Sequence, residues 1–213
     1  MTLRLIARNI ALKKGYKLLV SNINLTANSG EAISLTGANG VGKTTFLRCL
    51  AGFMSPHRGS IRLVENDSQL EDDTIAANYS HYLGHAEALN PARRVDQELR
   101  FHCHYLGGTE SARHEAIARL RLGPLLDLET RMLSAGQRKR VSLARLLMAP
   151  RPIWLLDEVL SPLDSAHRAL MSDIMQAHLS GGGIMICAVH DPLPFATRAL
   201  HLTRPTLEEM ADV

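Results

Sequence analysis

The sequence lacks any apolar run long enough to cross a bilayer, and its start, MTLRLIARNI, lacks the layout of a signal peptide. A cytosolic chain is the expectation. It has little cysteine: Cys49, Cys103 and Cys187 share no paired spacing, which speaks against a disulfide framework or a zinc site. It has no strong charge bias. The formal net charge is +3 and the basic residues are scattered apart from Arg138 to Arg140, so no nucleic-acid partner is expected. HCH at His102 to His104 falls in a helical pattern, where residues two apart do not share a face, and it is not the CxxCH haem-attachment motif. It reads as ordinary helix surface. No N-K-x-D segment for reading guanine occurs, and there is no internal repeat or low-complexity stretch. What remains is a chain of 213 residues, 46% of them hydrophobic, with room for one large domain or for a core carrying an inserted subdomain.

Against these absences stands GANGVGKTT, from Gly37 to Thr45. EAISLT before it (Glu31 to Thr36) reads as a short apolar strand, and FLRCLAG after it (Phe46 to Gly52) as a helix ended by glycine. Strand, glycine loop and helix are the context a phosphate-binding loop requires. Its backbone N–H groups wrap a phosphate, and the following helix N-terminus favours negative charge. Gly37, Ala38, Asn39, Gly40, Val41, Gly42, Lys43, Thr44 and Thr45 are therefore candidate nucleotide ligands. Lys43 would reach the β- and γ-phosphates, and Thr44 would put its hydroxyl on Mg²⁺.

Residues 3 to 28 read as strands with a turn at Lys13 to Gly15, and 59 to 64 as another strand. VDQELRFHCHYL and SARHEAIARLRL then show helical spacing, before strand signal returns at 153 to 156 and 184 to 189. This suggests an α/β core, about 1–89 and 151–213, interrupted by a helical subdomain at about 90–150. IWLLDE, from Ile153 to Glu158, looks like a buried parallel strand with two acids at its carboxyl end, where open α/β sheets bind ligands. Asp157 is placed to hold Mg²⁺, and Glu158 to orient or deprotonate an attacking water. LSAGQRKRVSLARLL (Leu133 to Leu147) opens with Ser134 and Gln137 at capping-box spacing, followed by Val141, Leu143, Ala144, Leu146 and Leu147 as a buried stripe.

These ordered motifs, with SPLD at Ser161 to Asp164 and His190 after IMICAV, resemble the ABC ATPases over nearly the whole chain. The resemblance implies a P-loop fold: a RecA-like α/β core, an antiparallel β portion and an inserted helical subdomain. It also implies that two copies pair head to tail, with ATP sandwiched between the phosphate loop of one and the LSAGQ of the other. On that reading Ser134, Gly136 and Gln137 meet nucleotide held by a partner. His190 resembles the switch histidine at the γ-phosphate, joining Lys43 and Glu158 as catalytic candidates, and Asp164 the aspartate of the loop joining the two sites.

Three positions depart from the family pattern. Val159 stands where proline follows the catalytic glutamate. His85, in YLGHAEALNP, stands where a metal-side glutamine is usual. Lys14 stands where an aromatic ring stacks on adenine, and Tyr16 is the nearby ring that could serve. Within the family, the small size, LSAGQ and the glycine–histidine pair look like the ATP-binding subunits of bacterial cytochrome c maturation. That implies a separate integral-membrane permease of the haem exporter protein B type and a place on the cytoplasmic face of the inner membrane. The species moved stays open: haem itself, or a haem-loaded chaperone released by hydrolysis. The alternative is the ATPase of another small-solute transporter. A non-transport ABC protein usually needs a long coiled-coil insertion or two ATPase domains, and neither fits in 213 residues.

Overall fold

The computed structural model describes residues 2–70, 78–189 and 191–206. Within them the chain divides into two compact units. The first holds residues up to Tyr82, Pro152–Glu158 and the chain from Ile174 on, and the second holds Leu83–Arg151 and Val159–Asp173.

The first unit opens with a long hairpin of β1 (Leu3–Lys14) and β2 (Lys17–Asn28), turned at Gly15, with φ of 59°. β4 (Arg58–Glu65) and β5 (Ser68–Leu70) complete an antiparallel sheet of order β2-β1-β4-β5. Alternating apolar residues put Leu3, Leu5 and Ala7 on its buried face. The register then shifts between Ala7 and Ile10 toward β2 and between Arg8 and Ala11 toward β4. Asn9 and Asn22 have φ of 50° and 52°, and the Asn24 side chain ties them by accepting from Asn9 N and donating to Asn22 O. Gly59 is required opposite this bulge, because a Cβ there would lie 2.3 Å from Arg8 O.

A second sheet of order β6-β7-β8-β3-β9 uses β3 (Ala32–Thr36), β6 (Ser80–Leu83), β7 (Ile153–Asp157), β8 (Ile184–Ala188) and β9 (Arg198–His201). β7, β8, β3 and β9 run parallel, so their carboxyl ends share one edge. β7 and β8 are buried at every residue, as their unbroken apolar runs require. Helix α1 (Lys43–Leu50) lies against β7 and β8. Its Phe46, Leu47 and Leu50 enter one core with Ile33 and Leu35, with Leu155 and Ile186, and with Leu5, Leu12 and Leu63 of the first sheet.

The second unit is helical: α2 (Val95–Tyr105), α3 (Glu110–Arg119), short 3₁₀ turns at Gly123–Leu125 and Thr130–Met132, and α4 (Ala135–Met148), against which α2 and α3 pack. Thr109 caps α3 by accepting from Ala112 N. Arg113, 2% exposed, fastens α3 to α2 through Asp96 at 2.7 Å and holds Glu110 at 2.7 Å. Helix α5 (Ser165–Ser180) starts in this unit and ends in the first.

Two local expectations change. The stripe of α4 is wider than expected: Lys139, Ser142 and Met148 are buried, while Leu147 is only half-buried. The HCH run is not plain helix surface. His102 turns inward to the buried Glu98 at 3.1 Å, Cys103 is buried, and only His104 is exposed. Among the described residues no group of three His, Cys, Asp or Glu could hold a metal ion. Among them, too, no helix is long and apolar enough to cross a membrane.

Candidate functional site

The carboxyl end of β3 runs directly into the glycine loop. Gly37, Gly40 and Gly42 have φ of 130°, 75° and 121°, backbone that side-chain-bearing residues rarely adopt. At Gly37 a Cβ would also lie 2.4 Å from Leu202 O, so the loop closes onto the chain after β9 only with glycine there. Val41 is buried, and its N–H donates to Ala38 O at 3.2 Å, which fixes the turn. Ala38, Asn39 and Gly40 at the tip are exposed. Gly42 is the N-cap of α1, so the helix begins at Lys43 rather than at Phe46. Its free N–H groups therefore open toward the loop.

Lys43 is 7% exposed, and its Nζ donates to Gly37 O at 2.8 Å and Ala38 O at 3.4 Å. The ammonium is thus held at the loop by its own backbone. The next residue, Thr44, is exposed and donates its hydroxyl to Asp157 Oδ2 at 2.7 Å. Asp157 ends β7 and is 3% exposed. Its charge, after burial itself, helps push the Tyr82 phenol above its usual value. A hydroxyl and a carboxylate oxygen converging here form the hard-oxygen donor set that suits Mg²⁺. Thr45, half-buried, follows on the helix.

Glu158 follows at once, and its N–H donates to Ala188 O at 3.0 Å, tying the end of β7 to the end of β8. Its φ of 54° is left-handed, an uncommon state for a residue with a Cβ. Such backbone clusters at functional sites, where surrounding structure holds it. Val159 is buried and places no proline ring beside Glu158. His190 lies outside the described residues.

The second constellation belongs to the helical unit. Ser134 and Gln137 form a reciprocal capping box: Ser134 Oγ accepts from Gln137 N at 3.2 Å, and Gln137 Oε1 accepts from Ser134 N at 2.8 Å. Gly136 approaches the loop before α5 closely, since a Cβ would lie 2.9 Å from Pro162 O. Ser134, Gly136, Gln137, Arg140, Leu163, Asp164 and His167 contribute to the lining of a cavity of about 280 Å³. Asp164 accepts from His167 N at 2.8 Å and from His167 Nδ1 at 2.8 Å. These bonds hold its carboxyl below the usual range. Burial lowers the Arg140 guanidinium, and the Asp164 charge opposes that fall.

The structure thus brings Lys43, Thr44 and Asp157 together, and separately Ser134, Gly136, Gln137 and Asp164. Tyr16 stands fully exposed at the tip of the β1–β2 turn. His85 is exposed in the helical unit. Sequence reasoning missed His167 and Arg140 in the cavity, and the buried Lys139 and half-buried Arg145 of α4. A signal for one of these existed: Lys139 shares the helical spacing of Leu143 and Leu146 and so stands on the apolar stripe.

Comparison with known proteins agrees with this architecture. A family model described as ABC transporter matches residues 20–161. The cytochrome c biogenesis ATP-binding export protein CcmA of Nitrobacter winogradskyi is 42% identical over 200 residues, covering 94% of this chain and 98% of that protein. The protein of the same name from Rhodopseudomonas palustris strain BisB18 is 40% identical over the same shares. Among solved structures, an ATP-binding protein of an ABC transporter from Pyrococcus furiosus superposes with a TM-score of 0.79 at 21% identity, covering 93% of this chain and 97% of that one. A dimeric ATP-binding cassette bound to ADP and Pi, in a post-hydrolysis state, gives 0.75 at 22% identity, covering 93% and 94%.

Proposed function

The chain belongs to the ABC transporter family, and we propose that it is the ATP-hydrolysing subunit of an exporter serving haem handling in c-type cytochrome biogenesis. The observation that carries the ATPase reading is the 2.7 Å bond from Thr44 to Asp157, which joins the phosphate loop to the acidic strand. The export assignment is supported by the names of relatives that match along nearly the whole chain.

In this reading the loop amides of Gly37 to Thr45 bind the α- and β-phosphates, and Lys43 releases its carbonyl partners to reach the β- and γ-phosphates. Thr44 and Asp157 would hold Mg²⁺, with His85 on its side as a sensor; the ion, when bound, offsets charge on the β- and γ-phosphates. Glu158 takes the proton of, or orients, the attacking water, and His190 helps place it at the γ-phosphate. Tyr16 is the candidate to stack on adenine. Ser134, Gly136 and Gln137 meet the γ-phosphate held by a second copy, and Asp164 joins the two sites. One chain then holds two half-sites, and a head-to-tail dimer completes them. The cytoplasmic face of the inner membrane, beside a permease of the haem exporter protein B type, is where the subunit works.

Affinity capture of the tagged chain from gently solubilised native membranes, followed by ATPase assay, tests this. Recovery of a membrane permease with apocytochrome-maturation proteins, and MgATP hydrolysis lost in Glu158→Gln, is expected. An unrelated permease would discard the haem assignment. Hydrolysis unchanged in Glu158→Gln would discard the mechanism.

A further inference from the structure

Helix α4 carries two cations that turn away from solvent toward one stretch of backbone. Lys139 is 1% exposed. Its Nζ donates to Gly84 O at 3.3 Å and His85 O at 3.1 Å, with Glu87 Oε1 3.8 Å away. Arg145 donates through Nη2 to Glu87 O at 2.7 Å and through Nε to Ser142 O at 3.0 Å. Residues 84–89 lie outside any helix or strand. Their position in the helical unit is therefore set in good part by these side chains. A buried ammonium is costly unless it is partnered, and lysine's three donors suit two carbonyls and a carboxylate at once. An apolar residue at 139 would continue the stripe of Leu143 and Leu146 but would leave the carbonyls of Gly84 and His85 without these donors.

The same helix starts at the Ser134 cap. Rigid secondary elements and the hydrogen-bond networks attached to them can carry coupling between groups along their length. We propose that Lys139, near the start of α4, and Arg145, in its last turn, are positioning residues that bind the 84–87 segment along this helix, so that nucleotide engaging Ser134 and Gly136 also displaces His85. The inference rests on the ATPase reading, and neither cation need touch nucleotide. It explains why a strongly hydrated side chain occupies a position that packing alone would give to leucine.

Amide hydrogen exchange on the full chain carrying Glu158→Gln, with and without MgATP, tests it. In that parent, MgATP should slow exchange at 37–45, at 134–139 and at 84–89. Adding Lys139→Met should keep the first two and cut the MgATP-dependent protection at 84–89 by about tenfold or more. Lys139→Gln, which retains a donor, should restore most of it. Should Lys139→Met fail to fold, judged by exchange in β1 and β2, Arg145→Met serves in its place with a smaller loss. Unchanged protection at 84–89 in the variant overturns the inference. So does faster exchange there by the same factor with and without MgATP, which marks a merely structural role. So does a parent in which MgATP protects 37–45 but not 84–89. No protection at 37–45 in the parent overturns the nucleotide reading itself, and the two failures are thereby told apart.

Discussion

The phosphate-loop half-site and the half-site at the start of α4 are built on opposite plans. In the first, two working groups are held within the fold: Lys43 and Asp157 are buried, while the loop tip and Thr44 are exposed and Thr44 bonds back to Asp157. In the second, Ser134 and Asp164 are exposed, and the groups line an open cavity of about 280 Å³. A preorganised interior site binds phosphate on its own. An exposed helix start with its cap already made has surplus amides but no enclosure, and it gains a ligand when another surface brings one. The contrast fits the proposal that one chain captures ATP and a second copy is needed for its hydrolysis.

The contrast can be broken most severely at the first half-site. Lys43→Ala removes the charge at the transferring phosphate, and turnover should fall about 10³-fold with nucleotide affinity also lost; fluorescent-nucleotide titration and phosphate release read both. Glu158→Gln should lower turnover by about 10² to 10³-fold while MgATP binding persists. Equal loss of binding would place Glu158 in the wrong role. Gly136→Ala acts on the second half-site alone. Moving Pro162 O away from the new Cβ costs about 1 to 3 kcal/mol, and turnover should drop about tenfold with monomer affinity for ATP unchanged.

A smaller effect concerns pH. Burial lowers His178, which stacks on Trp154, and burial and then Arg145 lower His102, both from an ordinary 6.5. Their folded values lie below the unfolded one, so below about 6.5 the unfolded chain takes up more protons and stability falls with pH. Asp96, held low first by its bond to Arg100, adds stability that is present above its unfolded value near 3.8 and lost as pH falls through the folded value. Thermal midpoints should decline from pH 7 to 5, and His178→Phe should flatten that decline; a steeper decline in the variant would reverse the sign of the argument. Smallest is His85→Gln, expected to leave ATP binding intact and to change only permease-linked activity.

Much of the first half-site was legible because its information is local. Glycines, lysine and threonine act within one loop, and IWLLD declares its own burial by an unbroken apolar run. The Ser134–Gln137 cap is local too. What escaped depends on distant partners. Lys139 is buried because carbonyls 54 and 55 residues away accept from it, and His167 matters because Asp164 is exposed beside a cavity. The bulge fixed by Asn9, Asn22 and Asn24 needs the pairing of two strands to exist. Helix α5 carries Met171, Ile174 and Met175 at helical spacing, all buried in the structure, a short local signal set between two stronger motifs.

On the proposed reading, one chain holds two half-sites that only a second copy completes. Sedimentation velocity of Glu158→Gln, with and without saturating MgATP, tests it most directly. A monomer without nucleotide and a dimer with it are expected. A chain that binds MgATP fully and stays monomeric at every concentration would contradict it.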